Sequence, residues 1–173
     1  WQAQGGDQYL LNVAWLRPGK GTGDAGRIPA TRFAARNGTK NAPCTEGGEC
    51  LGFIEQGHWV RYEQVDFGSR TEQMEIRASS AAGGGIIELR LDRPDGELLG
   101  TCRVPNTGDW QDWASFQARL KPVSGTKTLC LVFRRPPAAA ESFLRRAIEA
   151  LFDAARHVLA KGHGLAGLEY REV

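Results

Sequence analysis

Apolar and polar residues alternate with a period of two in short segments through most of the chain, which is typical of β-strands with one buried face. Glycine, proline, asparagine and aspartate lie between these segments, for example at 94–96 and 106–108, and mark turns. Many short strands at this spacing predict a mainly β protein that folds as an antiparallel β-sandwich. The predicted strands cover residues 9–16, 28–35, 53–54, 59–65, 73–78, 86–91, 98–104, 114–120 and 128–133.

The periodicity changes after Pro136 and Pro137, where apolar residues begin to recur at helical spacing. The pattern predicts one long amphipathic α-helix, a helical insertion over residues 138–162, followed by a last strand at 168–173. Its apolar stripe has to be covered. Packing on the sandwich is one interpretation, and docking of a neighbouring domain or self-association through residues 138–161 is the other.

The first 27 residues are predicted to form a separate N-terminal segment, with a strand at 9–16 followed by a glycine-rich loop. We expect that strand at an edge of the sandwich, and we expect residues 28–173 to form the sandwich module itself. The chain begins with Trp1 and not with Met, which suggests a mature or excised fragment.

The amino-acid composition limits the classes of partner that the chain is expected to bind. The chain has 173 residues, of which 41% are hydrophobic and 24% charged, and its formal net charge is only +2. Such a balance is ordinary for a globular domain and does not favour a nucleic-acid partner. No run of 18 apolar residues is present, so the sequence predicts no membrane span.

The number of cysteines helps to predict the cellular compartment. The chain has four, Cys44, Cys50, Cys102 and Cys130. No C-x-x-C motif is present and the chain has only three histidines, which disfavours zinc. An even number of cysteines suggests two disulfides in a secreted, periplasmic or cell-surface protein. Cys44 with Cys50 and Cys102 with Cys130 is the natural pairing, but the sequence also allows the other pairings and free thiols.

Two aromatic residues, Phe53 and Trp59, flank the Gln56-Gly57 turn. Flat rings displayed near a turn can stack on flat ligand faces, or they can fill a core. No pair of carboxylates and no glycine-bounded serine stands out by its spacing, so the sequence does not favour an enzyme.

Several motifs from Ile28 to Phe133 together resemble a family 6 carbohydrate-binding module. Residues 51–62, LGFIEQGHWVRY, resemble the family block G-Y-I-D-x-G-D-W-V-x-Y, and residues 104–113, VPNTGDWQDW, resemble V-P-N-T-G-G-W-Q-x-W. Residues 168–171, LEYR, are similar to the closing strand, L-D-W-F. The resemblance implies a jelly-roll β-sandwich that binds carbohydrate without catalysis and targets an attached enzyme or cell-surface protein to a polysaccharide.

The resemblance also implies sugar-binding residues. Phe53 and Trp110 correspond to the two aromatics that sandwich a sugar ring at the loop end, whereas Trp113 is interpreted as core. The family places an asparagine just before the closing strand, where this chain has Gly167. Loss of that contact, or a helix that covers the cleft, would favour the alternative of a structural or protein-interaction domain.

Some members of the family also bind sugar on a sheet face, through a tryptophan that corresponds to Trp59. Glu88 or Arg90 would supply polar contacts there. The alternative is that Trp59 is simply a half-buried sheet residue.

A structural calcium ion is a further implication of the resemblance. The family holds it with acids of the first strand, I-E-A-E, and of the closing strand. Here residues 28–31 read IPAT, and only Glu169 remains of that set. Since calcium needs six to eight oxygen ligands, we expect the site to be absent or weakened, and no cofactor is required.

Overall fold

A computed structural model describes residues 8–19, 21 and 23–161, with the helical side chains described for 146–157. The chain divides into two compact units, and the boundary falls between Pro136 and Pro137. The first unit contains all eleven described strands. They are β1 (Asn12–Pro18), β2 (Ile28–Pro29), β3 (Ala35–Asn37), β4 (Lys40–Pro43), β5 (Glu49–Gly52), β6 (Trp59–Asp66), β7 (Thr71–Ser79), β8 (Gly85–Leu91), β9 (Leu98–Val104), β10 (Ala114–Val123) and β11 (Thr126–Arg134).

All strand pairs are antiparallel, in the order β3-β6-β11-β8-β9-β10-β7-β1-β5-β4, with β2 paired to β1. Buried residues of distant strands share one core, such as Val60 of β6, Leu131 of β11, Val13 of β1 and Ile76 of β7. The sheet therefore curls on itself, and its two halves face each other across that core. This arrangement confirms the predicted antiparallel β-sandwich.

The position of β1 differs from the sequence expectation. β1 lies between β7 and β5 and forms six residue pairs with β7, so it is an interior strand and the predicted edge position was wrong. Leu11, Val13 and Leu16 are completely buried. Apolar alternation correctly predicted a strand here, but local pattern does not specify a strand's neighbours. β1, which lies before residue 28, is thus part of the sandwich.

The segment from 41 to 51, between the predicted strands 28–35 and 53–54, forms the hairpin of β4 and β5. All four cysteines are free thiols in the structure. Cys102 and Cys130 both pair with β8, which lies between their strands. Cys102 opposes Ile87 and faces the core, whereas Cys130 opposes Arg90 on the other face.

Two strand spacings separate Cys102 from Cys130, about 9–10 Å, and a disulfide requires Cα atoms within about 7 Å. The expected pairing of Cys102 with Cys130 was therefore wrong. Cys44 and Cys50 lie in one hairpin, and their expected disulfide is likewise not formed.

The second unit contains α1 (Ala139–Lys161), which confirms the helix predicted from residue 138 onward. Ile148, Leu151 and Phe152 on its apolar stripe are exposed, at 46%, 69% and 63%. No described helix is long and apolar enough to cross a membrane. The last strand predicted, at 168–173, lies outside the described residues.

Candidate functional site

Asn12, the first residue of β1, connects the two chain segments that carry Phe53 and Trp110. Its side-chain Nδ2 donates a hydrogen bond to the backbone oxygen of Trp110 at 2.9 Å. On its other side, a Cβ atom placed on Gly52 would lie 3.2 Å from Asn12 Oδ1, so the asparagine packs directly against the residue before Phe53. The fold thus brings Phe53 and Trp110 to one end of the sandwich, on either side of Asn12.

We call this cluster, Phe53, Trp110, Asn12, Tyr9 and Lys40, the loop-end site. The ring of Phe53 meets the ring of Tyr9 edge to face, with centroids 5.4 Å apart, and the Nζ of Lys40 lies 5.6 Å from the Phe53 centroid. Phe53 has a φ of 54°, the left-handed region that side chains other than glycine rarely adopt. Strained residues of this kind concentrate at ligand sites, and the surrounding structure has to hold Phe53 in this conformation at the end of β5.

The loop that carries Trp110, between β9 and β10, is fixed by short polar bonds. Asn106 Oδ1 accepts a bond from the Gly108 amide at 2.7 Å, and Thr107 Oγ1 accepts one from the Ser80 amide at 2.9 Å. Ser79 Oγ donates to the Trp110 carbonyl at 2.6 Å, next to the bond from Asn12. A loop held in this way loses little conformational entropy when it binds a ligand. Trp110 itself remains partly exposed.

Trp113 packs in the core, as predicted. It is 8% exposed and belongs to a second buried cluster with Ala14, Ala42 and Cys50, against which Phe53 packs. Its Nε1 donates to Thr45 Oγ1 at 3.1 Å, which satisfies the buried indole.

Sequence reasoning missed Asn12. Gly167, which the resemblance placed at the asparagine position, lies outside the described residues. A signal was nevertheless present. Asn12 is followed by Val13, Ala14, Trp15 and Leu16, which keep the apolar and tryptophan positions of the closing motif L-D-W-F. β1 is also an interior strand, paired with β7 on one side and with β5 on the other.

Trp59, Glu88 and Arg90 come together at a different place. Trp59 of β6 opposes Val132 of β11, which opposes Glu88 of β8, and all three face away from the core. Arg90 Nε donates to Glu88 Oε2 at 3.0 Å, and Arg90 Nη1 donates to the carbonyl of Gly96 at 2.9 Å. Trp59 is partly buried.

We call this outward surface of β6, β11, β8 and β9 the sheet face. Its members are Trp59, Arg61, Ile86, Glu88, Arg90, Thr101, Arg103, Cys130, Val132 and Arg134. Two spatially separate groups of sequence-predicted site residues therefore exist, Phe53 with Trp110 and Trp59 with Glu88 and Arg90. Their roles in binding stay predictions.

The family's calcium site does not fit the described residues. Pro29 and Thr31 replace both acids of the first strand, and Ala14 stands at the acidic position of the motif on β1. Neutral or apolar side chains at these three positions cannot supply the carboxylate oxygens that calcium requires. Within the described part of the chain, no group of three or more His, Cys, Asp or Glu residues is placed to hold a metal. Glu169 lies outside that part.

An antiparallel sandwich that displays aromatic rings at a loop end is compatible with a carbohydrate-binding module, because such rings can stack on sugars. The family model "Carbohydrate binding module (family 6)" matches residues 29–141. The chain belongs to this family, as the sequence motifs predicted, and the family's modules are non-catalytic carbohydrate-binding domains.

Solved structures of the family are similar to this chain. A family 6 module from Clostridium cellulolyticum in complex with xylose is 38% identical over 63% of this chain and 84% of that one, with a TM-score of 0.60. A β-1,3-glucan-binding module from Bacillus halodurans is 35% identical over 70% of this chain and 88% of that one, with a TM-score of 0.62.

Curated relatives are much longer. Endo-1,4-beta-xylanase A of Thermoclostridium stercorarium is 33% identical over 90 residues, which are 52% of this chain and 17% of that protein. The clotting factor G alpha subunit of Tachypleus tridentatus is 34% identical over 90 residues, 51% of this chain and 13% of that protein. The chain thus spans less than a fifth of the length of these relatives.

Proposed function

We propose that this module binds a neutral β-linked polysaccharide, a xylan or a β-glucan, at the loop-end site. By doing so it holds an attached enzyme or cell-surface protein, outside the cell, at its substrate. Similarity to a xylose-bound module, to a β-1,3-glucan-binding module and to xylanases supports the choice of ligand.

Binding rests on stacking. The axial C–H bonds of a pyranose form an apolar face that packs on an aromatic ring, while its hydroxyls need polar partners at the ring edge. Phe53 and Trp110 supply the rings. Asn12 is 7% exposed, and beyond its bond to Trp110 its amide has a second N–H and an acceptor oxygen, which suit sugar hydroxyls that reach the exposed part. The position of Asn12 between the two aromatic segments is the observation that carries this proposal.

The sheet face supplies a second sugar platform in the proposal, with Trp59 as the stacking ring and Glu88 and Arg90 as polar contacts. Trp59 lies at the start of β6 and opposes Val132 of β11 on one side and Asn37 of β3 on the other. Glu88, which is paired with Arg90, lies beyond Val132. A long polysaccharide can use one platform or both.

Calorimetry with xylohexaose, cellohexaose and laminarihexaose tests the proposal. The intact chain should bind at least one of them, and Trp110→Ala should weaken that binding by tenfold or more. Trp59→Ala removes the same side chain from the sheet face and measures how much that second platform contributes. Absence of binding to every one of these sugars, and to insoluble xylan and glucan, would refute the carbohydrate-binding proposal.

A second role, self-association through α1, is favoured by one observation, the exposure of Leu151 and Phe152 on its apolar stripe. Two copies that pack these stripes together would bury both. Sedimentation velocity of the intact chain and of Leu151→Glu tests this role. A concentration-dependent dimer that Leu151→Glu abolishes supports it, and a monomer at all concentrations contradicts it.

A further inference from the structure

We propose that the sheet face selects acidic glycans, in which a uronic acid stacks on Trp59 and its carboxylate meets the surrounding arginines. This inference rests on the proposed function of the sheet face as a sugar platform, and it names the class of sugar bound there. The loop-end site keeps its preference for neutral sugars.

Strand register places four guanidinium groups on this face. Val60, Leu131, Ile87 and Cys102 point into the core, so their neighbours along each strand point outward. Arg61 opposes Cys130, which in turn opposes Arg90. Arg134, two residues beyond Val132, opposes Ile86, which opposes Arg103. Trp59 therefore stands at one side of a surface whose charged side chains are mainly arginines.

The arginines are not neutralised by their carboxylate partners. Glu88 accepts a bond from Arg90 Nε at 3.0 Å and lies 3.4 Å from Arg134 Nε, so two guanidinium groups share one carboxylate. Glu63 pairs with Arg61 Nη2 at 3.2 Å. Arg61 Nε is buried and has no hydrogen-bond partner in the described part of the chain. The four arginines face two carboxylates, which leaves a net positive surface.

Cys130 lies between Arg61 and Arg90 at the centre of the face. Burial raises its pKa to about 11, while the charges of Arg61 and Arg90 on either side act to lower it. Both guanidinium groups are thus close enough to Cys130 to influence it, in agreement with the strand register. A carboxylate placed over this part of the sheet would be stabilised for the same reason.

The stereochemistry of a uronic acid fits this arrangement. Its carboxylate replaces the hydroxymethyl group and projects from the edge of the sugar ring, so it stays in reach of the protein when the ring face lies on Trp59. Arg134 is a diagonal neighbour of Trp59 across the strand pair, and such neighbours lie about 7–8 Å apart, within reach of long side chains. Arginine binds carboxylates with two parallel hydrogen bonds, which a neutral sugar cannot replace.

The test is calorimetry at low salt with two ligands of equal length, xylotetraose and a xylotriose that carries one glucuronic acid. Trp110→Ala is the background, so that the loop-end site contributes little. In this background the acidic ligand should bind about fivefold or more tightly than the neutral one. The preference should fall in 0.5 M NaCl, because exposed charges are screened.

Three single-residue variants test which side chains cause the preference for the acidic ligand. Arg134→Gln should reduce it severalfold and Trp59→Ala should remove binding of both ligands in this background. Arg119→Gln, which removes an exposed arginine from β10 on the other half of the sheet, should leave it unchanged.

Equal affinities for the two ligands, or an acid preference that survives Trp59→Ala, would overturn the inference. If wild type binds xylotetraose and the Trp110→Ala background binds neither ligand, the inference fails while the proposed loop-end function stands. If wild type binds neither ligand, nor any of the hexaoses, both fail.

Discussion

Asn12 is the residue on which the loop-end site depends, because it has two separable functions. It holds the Trp110 loop through one hydrogen bond, and in the proposed complex it also contacts the sugar. Ser79 Oγ donates to the same carbonyl of Trp110 and therefore has only the first function. A comparison of the two residues separates tethering of the loop from recognition of the ligand.

We expect Asn12→Ala and Ser79→Ala to lower the free energy of unfolding by similar amounts, about 0.5–1.5 kcal/mol each, since either variant leaves the Trp110 carbonyl one remaining bond. Sugar affinity should fall about tenfold in Asn12→Ala and change little in Ser79→Ala. Urea denaturation and calorimetry give the two quantities. An equal loss of affinity in both variants would show that Asn12 acts only by holding the loop.

At the scale of elements, the hairpin of β4 and β5 places Cys44 and Cys50 on one side of the strand pair. Ala42 opposes Cys50, so Cys44 is the diagonal neighbour of Cys50. The Sγ of Cys50 lies 3.7 Å from the Pro43 carbonyl, on the Cys44 side. Diagonal neighbours are about 7–8 Å apart, slightly beyond the usual Cα separation in a disulfide, but the turn between them contains Gly47 and Gly48 and can tighten.

We predict that oxidation joins Cys44 to Cys50 and leaves Cys102 and Cys130 free. Burial raises the pKa of Cys50 to about 12 and also raises that of Cys44, and the thiolate is the reactive form. Oxidation should therefore be slow at neutral pH and accelerate as the pH rises above 9, where the Cys44 thiolate forms. Mass spectrometry of a non-reduced digest measures the products. A Cys102–Cys130 peptide would contradict the strand order.

The pairing of β1 with β2 brings together the positions at which the family holds calcium. Trp15 opposes Pro29, and the Ala30 amide donates to the Ala14 carbonyl at 2.9 Å. The edges of these strands are thus held by backbone bonds, and the side chains of Ala14, Pro29 and Thr31 provide no carboxylate.

Because a ligand stabilises a fold only when it binds the native state, the melting temperature should be the same in EDTA and in millimolar calcium. Differential scanning calorimetry measures it, and magnesium at the same concentration controls for ionic strength. A higher melting temperature in calcium alone would show that other residues of the chain complete the site.

For the whole molecule, the sequence predicted what depends on local pattern and missed what depends on strand order. Alternation along 59–65 predicted β6, and the same stretch carries the family motif that the comparisons confirmed. The pattern at 9–16 predicted a strand but not its place between β7 and β5. The pairing of Cys102 with Cys130 failed for the same reason, since β8 separates their strands. Neighbours in a sheet are long-range contacts, which a local periodicity does not encode.

The strand order predicts that truncation at the two ends of the chain affects the sandwich differently. β1 is an interior strand, with fully buried Leu11, Val13 and Leu16 and hydrogen-bonded neighbours on both sides, and it also carries Asn12. Residues after Pro136 belong to a separate compact unit. A chain that lacks residues 1–18 should lose cooperative unfolding and sugar binding, because an interior strand and its core contacts are absent.

A chain that ends at Pro136 should keep a cooperative melting transition and bind the hexaoses with the affinity of the intact chain. Circular dichroism and calorimetry on the two truncated chains make the comparison, and addition of a peptide covering residues 1–18 to the first one is a control for specific loss of β1. If the chain that ends at Pro136 is unfolded, the sandwich depends on residues beyond its eleven strands, and β1 does not by itself complete the sheet.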